Sequence, residues 1–194
     1  MRMATLHTVG FLMGLAGLLF AGAPQAASVE RPDDSLRAFL VAAINTSGSF
    51  EDRFAAEVWL SDMSNRLQSR VANPRERLEL LRHVHIEAMR SSLEPELVLS
   101  VIQVESNFDR FALSHAGARG LMQVMPFWLD EIGRPGDDLF HVRTNLRMGC
   151  TILRYYLDLE KGDLQRALAR YNGSLGKTWY STRVFNAHRN TWYP

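Results

Sequence analysis

The chain has 194 residues, of which 46% are hydrophobic and 22% charged, a composition that suits one globular domain with a sizeable core. The formal net charge of +1 and the scattered Lys and Arg residues argue against a nucleic-acid-binding protein, which needs a basic surface. The single cysteine, Cys150, excludes an internal disulfide framework. Its helical spacing to Leu146 and Leu153 predicts a buried core residue rather than a nucleophile.

The first 27 residues have the charge, apolar run and small residues of a secretory signal peptide, in that order. Arg2 and His7 precede an apolar run at residues 9–21, and small residues dominate positions 22–27. The run is shorter than the roughly 20 residues that a membrane-spanning helix needs, although an uncleaved anchor is the alternative. We therefore expect a signal peptide at 1–27 and export to the periplasm.

The rest of the chain shows helical periodicity and few signs of strands. The start signals are clearest at Asn73-Pro74 and Glu94-Pro95, where a residue with cap or acidic character precedes a proline suited to the first helical turn. Helices are predicted at residues 35–44, 51–71, 73–91, from Pro95 onward, 121–132, 143–159, 164–172 and 177–190. The sequence predicts an all-α fold, in which an N-terminal helical extension at 28–92 packs on a domain at 93–194.

Glu105 is the most informative single residue. It follows an apolar stripe that consists of Leu97, Val98, Val101 and Ile102. Glu105 stands four residues after Val101, where this stripe would continue. Burying a carboxylate is costly, and desolvation raises its pKa toward the protonated state. A carboxylic acid held protonated near neutral pH can protonate a departing alcohol. From spacing alone, an exposed Glu or one paired with Arg110 is the stronger alternative.

The residues that follow Glu105 resemble a known signature. They are Glu105-Ser106-x-Phe108, Ala112-x-Ser114 and Gly117-Ala118-x-Gly120-Leu121-Met122-Gln123-Val124-Met125-Pro126. A second block is Ala167-Leu168-Ala169-x-Tyr171-Asn172-Gly173. In this order the blocks resemble the soluble lytic transglycosylase family over residues 93–177, and an ordered series is more specific than one short motif.

The resemblance implies a lysozyme-like α-helical domain with a sugar-binding cleft, and cleavage of peptidoglycan glycan strands without a metal or cofactor. It makes Glu105 the catalytic acid. It also implies five substrate-binding residues: Ser114, Gln123, Met125, Tyr171 and Asn172. The bond cut would be the β-1,4 bond between N-acetylmuramic acid and N-acetylglucosamine, with formation of a 1,6-anhydro ring.

Each implied cleft residue also has an ordinary alternative. Ser114 and Gln123 suit sugar hydroxyls and N-acetyl groups, but polar loop residues are common. Tyr171 belongs to a helical stripe, so we expect it to be at least half buried, either bonded to backbone or close to Glu105. Phe127 is predicted in the core, whereas Trp128 could pack there or stack on a sugar.

Three other functions remain in competition. A lysozyme-type hydrolase, as in goose-type lysozymes, would position a water with Asp109, Asp137 or Asp138. A catalytically inactive module would bind peptidoglycan without cutting it. A metal site at His83-x-His85-x-Glu87 is disfavoured because His85 points away from the other two on a helix; partly exposed histidines are expected there.

Overall fold

The computed structural model describes residues 53–193, and within this range the protein is helical. The predicted signal peptide and the predicted helix at 35–44 lie outside the described residues. The helices are α1 (Arg53–Leu67), α2 (Pro74–Arg90), α3 (Pro95–Glu105), α4 (Trp128–Ile132), α5 (Val142–Leu159), α6 (Leu164–Tyr171), α7 (Trp179–Ala187) and a π-helical turn (His188–Trp192). Between residues 53 and 193 there is no strand, only two isolated bridges. The all-α prediction is confirmed.

Several helices begin where the capping signals predict. Asn73 is extended, and its side chain accepts hydrogen bonds from the backbone N–H groups of Arg75 and Glu76 at the start of α2. Such a cap satisfies donors that have no partner within the helix. Pro74 and Pro95 occupy the first positions of α2 and α3, where a missing N–H is harmless.

The predicted helix at 121–132 is wrong over its first seven residues, because only Trp128–Ile132 is helical. Gly120 and Gln123 have φ values of 74° and 48°, so the chain reverses there. Arg119 and Val124 then exchange two backbone hydrogen bonds of 3.0 Å. The apolar spacing of this segment is compatible with a helix, but its side chains are buried by a tight turn instead.

The last predicted helix, at 177–190, is two elements in the structure. The helix α7 passes into the π-helical turn, which carries the chain to Trp192. Trp192 is fully buried, and its Nε1 donates a 2.8 Å hydrogen bond to Gln103 Oε1 on α3. The π-helical turn therefore ends with a large aromatic residue that is bonded to α3.

One hydrophobic core joins all the long helices. It includes Leu60 of α1, Leu81 of α2, Val98 of α3, Leu153 of α5 and Val184 of α7, each fully buried. Helices α1 and α2 therefore share the core of the later helices. Cys150 is also fully buried, which confirms the prediction for it.

None of the helices in residues 53–193 has both the length and the apolar character needed to cross a bilayer.

Candidate active site

The site is built around the last residue of α3. Helix α3 buries Val98, Val101 and Ile102 completely, and Glu105 follows them at the end of the same helix. The carboxyl group of Glu105 is mostly shielded from water, although Glu105 is not a core residue. Burial raises the pKa of Glu105 from its ordinary value to about 7, because desolvation disfavours the charged form.

The Glu105 carboxyl group is hydrogen-bonded to Tyr180 of α7. The Tyr180 hydroxyl donates a 2.6 Å hydrogen bond to Glu105 Oε1, and the Tyr180 side chain is only 1% exposed, in the first turn of α7. This hydrogen bond and the charge of Arg183 both lower the pKa of Glu105, but burial outweighs them. Within the described residues, no ion pair joins Glu105 to Arg110, so the paired alternative is wrong.

Sequence reasoning missed Tyr180. A signal was present, because Tyr180, Val184 and Ala187 have the spacing of a buried stripe on the helix predicted at 177–190. A tyrosine in such a stripe needs a partner for its hydroxyl. The partner, Glu105, is 75 residues away in the chain, and no local pattern identifies it.

Tyr171 is bonded to backbone and not to Glu105. Its hydroxyl donates a 2.7 Å hydrogen bond to the carbonyl oxygen of Met122. Burial raises the pKa of Tyr171 well above its ordinary value, and the charge of Glu105 raises it further. Of the two alternatives, the tyrosine bonded to backbone is the one that the structure shows.

Ser114 and Gln123 hold the turn that follows Glu105. Ser114 Oγ accepts a 3.0 Å hydrogen bond from the N–H of Ala118. Gln123 Nε2 donates to the carbonyl oxygens of Ala112 and Gly120 at 3.1 and 3.0 Å. Both side chains therefore stabilise the backbone of residues 112–124 through hydrogen bonds, whatever else they contact.

The other two predicted cleft residues, Met125 and Asn172, are half-buried. Met125 follows the turn directly. Asn172 is the C-cap of α6, and its backbone N–H bonds to the carbonyl oxygen of Leu168. The structure thus places Asn172 next to Tyr171, at the end of the same helix.

Asn145 on α5 forms hydrogen bonds to the backbone of the turn at residues 119–124. Its Oδ1 accepts from the N–H of Met122, and its Nδ2 donates to the carbonyl oxygens of Arg119 and Leu139, all at 2.8 Å. The side chain is 1% exposed, and these three bonds use both of its N–H donors and one lone pair of its carbonyl oxygen. The turn that carries Gln123 is therefore attached to a rigid helix.

The three aspartates considered for a hydrolase are used by loops. Asp109 and Asp138 each accept a hydrogen bond from the backbone N–H two residues later. Asp137 forms a salt bridge with Arg147. Burial acts to raise its pKa, but hydrogen bonds from Arg134 and Arg147 together outweigh it and hold the pKa below the ordinary value. None of these contacts directs a carboxylate toward Glu105.

The histidines on α2 have separate environments. His85 is buried, with its ring 5.1 Å from that of Trp59, and burial lowers its pKa to about 4. The prediction of partial exposure is therefore wrong for His85. Among the described residues, no group of three or more His, Cys, Asp or Glu side chains could hold a metal ion.

His83 lines a cleft of about 290 Å³ that does not include Glu105. Glu76, Glu79, Arg110 and Arg143 also line it, so its two acidic and two basic residues balance. This charge pattern favours neither an anion nor a cation.

Two aromatic residues after the turn differ in burial. Phe127 is 53% exposed, so its predicted place in the core is wrong. Trp128 is partly buried and packs against the core.

Comparisons with known proteins agree with these motifs. The profile of the family described as Transglycosylase SLT domain matches residues 83–190. Proteins named membrane-bound lytic murein transglycosylase C, from Yersinia pestis (strain Pestoides F) and Yersinia pseudotuberculosis serotype O:1b, are each 30% identical over 123 residues. That alignment covers 55% of this chain and 34% of each relative, so the chain spans about a third of their length.

A solved structure is also similar. The X-ray structure of an inactive mutant of the lytic transglycosylase Slt from Pseudomonas aeruginosa matches with a TM-score of 0.44 and 22% sequence identity. The match covers 81% of this chain and 29% of that chain.

Proposed function

Because the chain belongs to the Transglycosylase SLT domain family, we propose that it is a peptidoglycan lytic transglycosylase active in cell-wall remodelling. It cleaves the β-1,4 bond between N-acetylmuramic acid and N-acetylglucosamine and leaves a 1,6-anhydromuramic acid end. The observation that carries this proposal is the environment of Glu105. Its carboxyl group is desolvated, bonded to Tyr180, and has a pKa of about 7, so an appreciable fraction is protonated near neutral pH.

The proposed reaction uses this one carboxyl group twice. The Tyr180 hydroxyl donates to Oε1, which leaves Oε2 to carry the acidic proton. Glu105 gives that proton to the glycosidic oxygen as the C1–O bond breaks, and the N-acetyl oxygen of the substrate stabilises the positive charge at C1. The Glu105 carboxylate then takes the proton of the C6 hydroxyl as O6 bonds to C1. The acid is regenerated and no water is consumed.

Ring closure is preferred over hydrolysis because a hydrolase commonly needs a second carboxylate to activate water or to attack the sugar. Asp109, Asp137 and Asp138 are each committed to loop contacts. A lysozyme-type hydrolase remains the second candidate, and its product would carry a reducing muramic acid.

The remaining assignments belong to the same proposal. Ser114, Gln123, Met125, Tyr171 and Asn172 line the substrate cleft. Tyr171 and Asn172 contribute from the end of α6, and the other three contribute from the turn that follows α3 or from its edge. Gln123 is bonded through Nε2, so we assign its role toward substrate to the other amide atom, Oε1.

We also propose the division of the chain. Residues 1–27 are a signal peptide that directs export to the periplasm, residues 28–92 are an N-terminal helical extension, and residues 93–194 are the transglycosylase domain. The extension is a structural support in this proposal, since α1 and α2 contribute to the same core as α3.

Digestion of purified sacculi tests the proposed activity. The wild-type protein should release anhydromuropeptides, which mass spectrometry distinguishes from reducing products by the loss of one water. Glu105→Gln keeps the size of the side chain but has no ionisable proton, and it should release none. Glu131→Gln changes an exposed glutamate on α4 and serves as the matched control.

Two results would overturn this function. Reducing muropeptides from the wild type would identify a hydrolase. Retention of the wild-type protein on sacculi without any soluble product would identify an inactive binding module.

A further inference from the structure

Trp179 is a large exposed apolar residue that directly precedes Tyr180, the partner of the proposed acid. It is the first residue of α7 and 48% of its surface is exposed. Its ring meets that of Tyr180 in a T-shaped contact, with centroids 5.8 Å apart and planes at 84°. Since the Tyr180 hydroxyl bonds to Glu105 Oε1, one ring contact and one hydrogen bond connect the indole to the carboxyl group.

Trp179 and Tyr180 differ in exposure, which indicates that they have separate roles. Tyr180 is 1% exposed and its hydroxyl is committed to Glu105. Trp179 packs against the Tyr180 ring and leaves about half of its own surface exposed. An indole has a broad rigid face and few rotatable bonds, and aromatic walls with a few polar groups are typical of ligand sites. The apolar face of a pyranose ring is a ligand of matching shape.

We propose that Trp179 is a stacking platform for a sugar ring of the glycan strand, next to the bond that Glu105 cleaves, and that it determines the affinity of the site for the strand. This inference rests on the proposed function. The occupant is a sugar rather than a second protein because the indole packs on the tyrosine whose hydroxyl bonds to Glu105, the carboxyl group that has to face the glycosidic oxygen. Trp179 holds the strand, and Tyr180 holds the acid.

Binding is measured separately from turnover. In the Glu105→Gln background, calorimetry with the tetrasaccharide of N-acetylglucosamine reports affinity alone. Trp179→Leu should raise Kd about tenfold, whereas Trp179→Phe keeps an aromatic face and should raise it by roughly threefold or less. Leucine still packs against Tyr180, so a purely structural role predicts equal affinity for the Leu variant and its parent.

Turnover provides the second measurement. With Glu105 intact, Trp179→Leu should raise KM for solubilised glycan strands about tenfold and leave kcat within about twofold, because uniform binding is lost while the acid keeps its partner. Tyr155→Leu is the matched control, since Tyr155 is 55% exposed and also packs against a neighbouring tyrosine. It should change neither Kd nor KM.

The proposal is overturned if the tetrasaccharide does not bind the Glu105→Gln protein, or if Trp179→Leu binds it as tightly as that parent does. A fall in kcat at unchanged KM would overturn it as well, because it would mean that Trp179 acts through Tyr180. The proposed function fails by a different result, the absence of anhydromuropeptides from the wild type. The binding measurement does not depend on that outcome.

Discussion

At the scale of single residues, the site depends on two polar groups placed where apolar side chains would be expected. Glu105 ends the buried stripe of α3, and Tyr180 stands in the buried stripe of α7. Each group lowers the cost of burying the other, because an unpaired buried hydroxyl or carboxyl loses its hydrogen bonds to water. The pair is therefore more informative than either residue alone.

Tyr180→Phe should separate the two effects of this hydrogen bond. Removing a donor to the carboxylate raises the pKa of Glu105 above about 7, so the basic limb of the kcat/KM profile should move to higher pH. The acid also loses its orientation. A charge-assisted hydrogen bond contributes about 1.5–3 kcal/mol, so kcat at the optimum should fall roughly 10- to 100-fold.

Tyr171→Phe is the control for this variant. It removes the hydrogen bond to the Met122 carbonyl oxygen but keeps the bond from the Tyr180 hydroxyl to Glu105. Its basic limb should stay where the wild-type limb lies. A basic limb that moves to lower pH in Tyr180→Phe would contradict the assigned role of the tyrosine hydroxyl.

At the scale of elements, the helices were predictable and the turn after α3 was not. Asn73-Pro74 and Glu94-Pro95 are local signals, so α2 and α3 begin where the sequence indicates. The turn at 119–124 depends on distant groups, since Asn145 supplies three hydrogen bonds to backbone atoms of residues 119, 122 and 139. Periodicity within 121–132 contains no information about that anchor.

Gly149→Ala tests how closely the turn packs on α5. A Cβ on Gly149 would lie 2.5 Å from Met122 Sδ and 2.8 Å from Met122 Cβ. The thioether can rotate, but Met122 Cβ is fixed by the backbone that Asn145 holds. Overpacking of this kind costs about 1–3 kcal/mol, and the higher helix propensity of alanine offsets up to about 1 kcal/mol of it, so urea unfolding should show a net loss of about 1–2 kcal/mol in the free energy of unfolding.

The control for this substitution is Gly136→Ala, where nothing lies within 4 Å of the added Cβ but φ is +84°. Its cost comes from backbone strain alone. A Gly149→Ala protein as stable as the wild type would mean that the turn is able to shift away from α5.

At the scale of the whole molecule, one core extends across the boundary proposed at residue 93. Leu60 and Leu81, which precede residue 93, are buried in the same cluster as Val98 and Leu153. The family match likewise begins at residue 83, within α2. Sequence patterns separate segments by resemblance, whereas burial depends on which apolar faces meet, and that requires the three-dimensional arrangement.

The burial of Glu105 has a consequence for the stability of the whole fold. Its pKa is about 7 in the folded protein and near 4.5 without burial, so the folded state binds the proton more tightly than the unfolded state. Below about pH 4.5 the Glu105 carboxyl does not change the free energy of unfolding. As the pH rises from there through 7, its ionisation lowers the free energy of unfolding. The full shift corresponds to about 3 kcal/mol, which partial exposure reduces to roughly 1–2 kcal/mol.

Glu105→Gln removes this penalty, since glutamine carries no charge at any pH. The variant should have nearly the wild-type free energy of unfolding at pH 4 and exceed it by roughly 1–2 kcal/mol at pH 8, measured by urea unfolding at both values. Glu131→Gln, on the exposed side of α4, should show no such divergence. A Glu105→Gln protein that is less stable than the wild type at pH 8 would show that the carboxylate is favourably solvated. In that case the site would not retain a proton near neutral pH, and the fold would not be sacrificing stability for an acid.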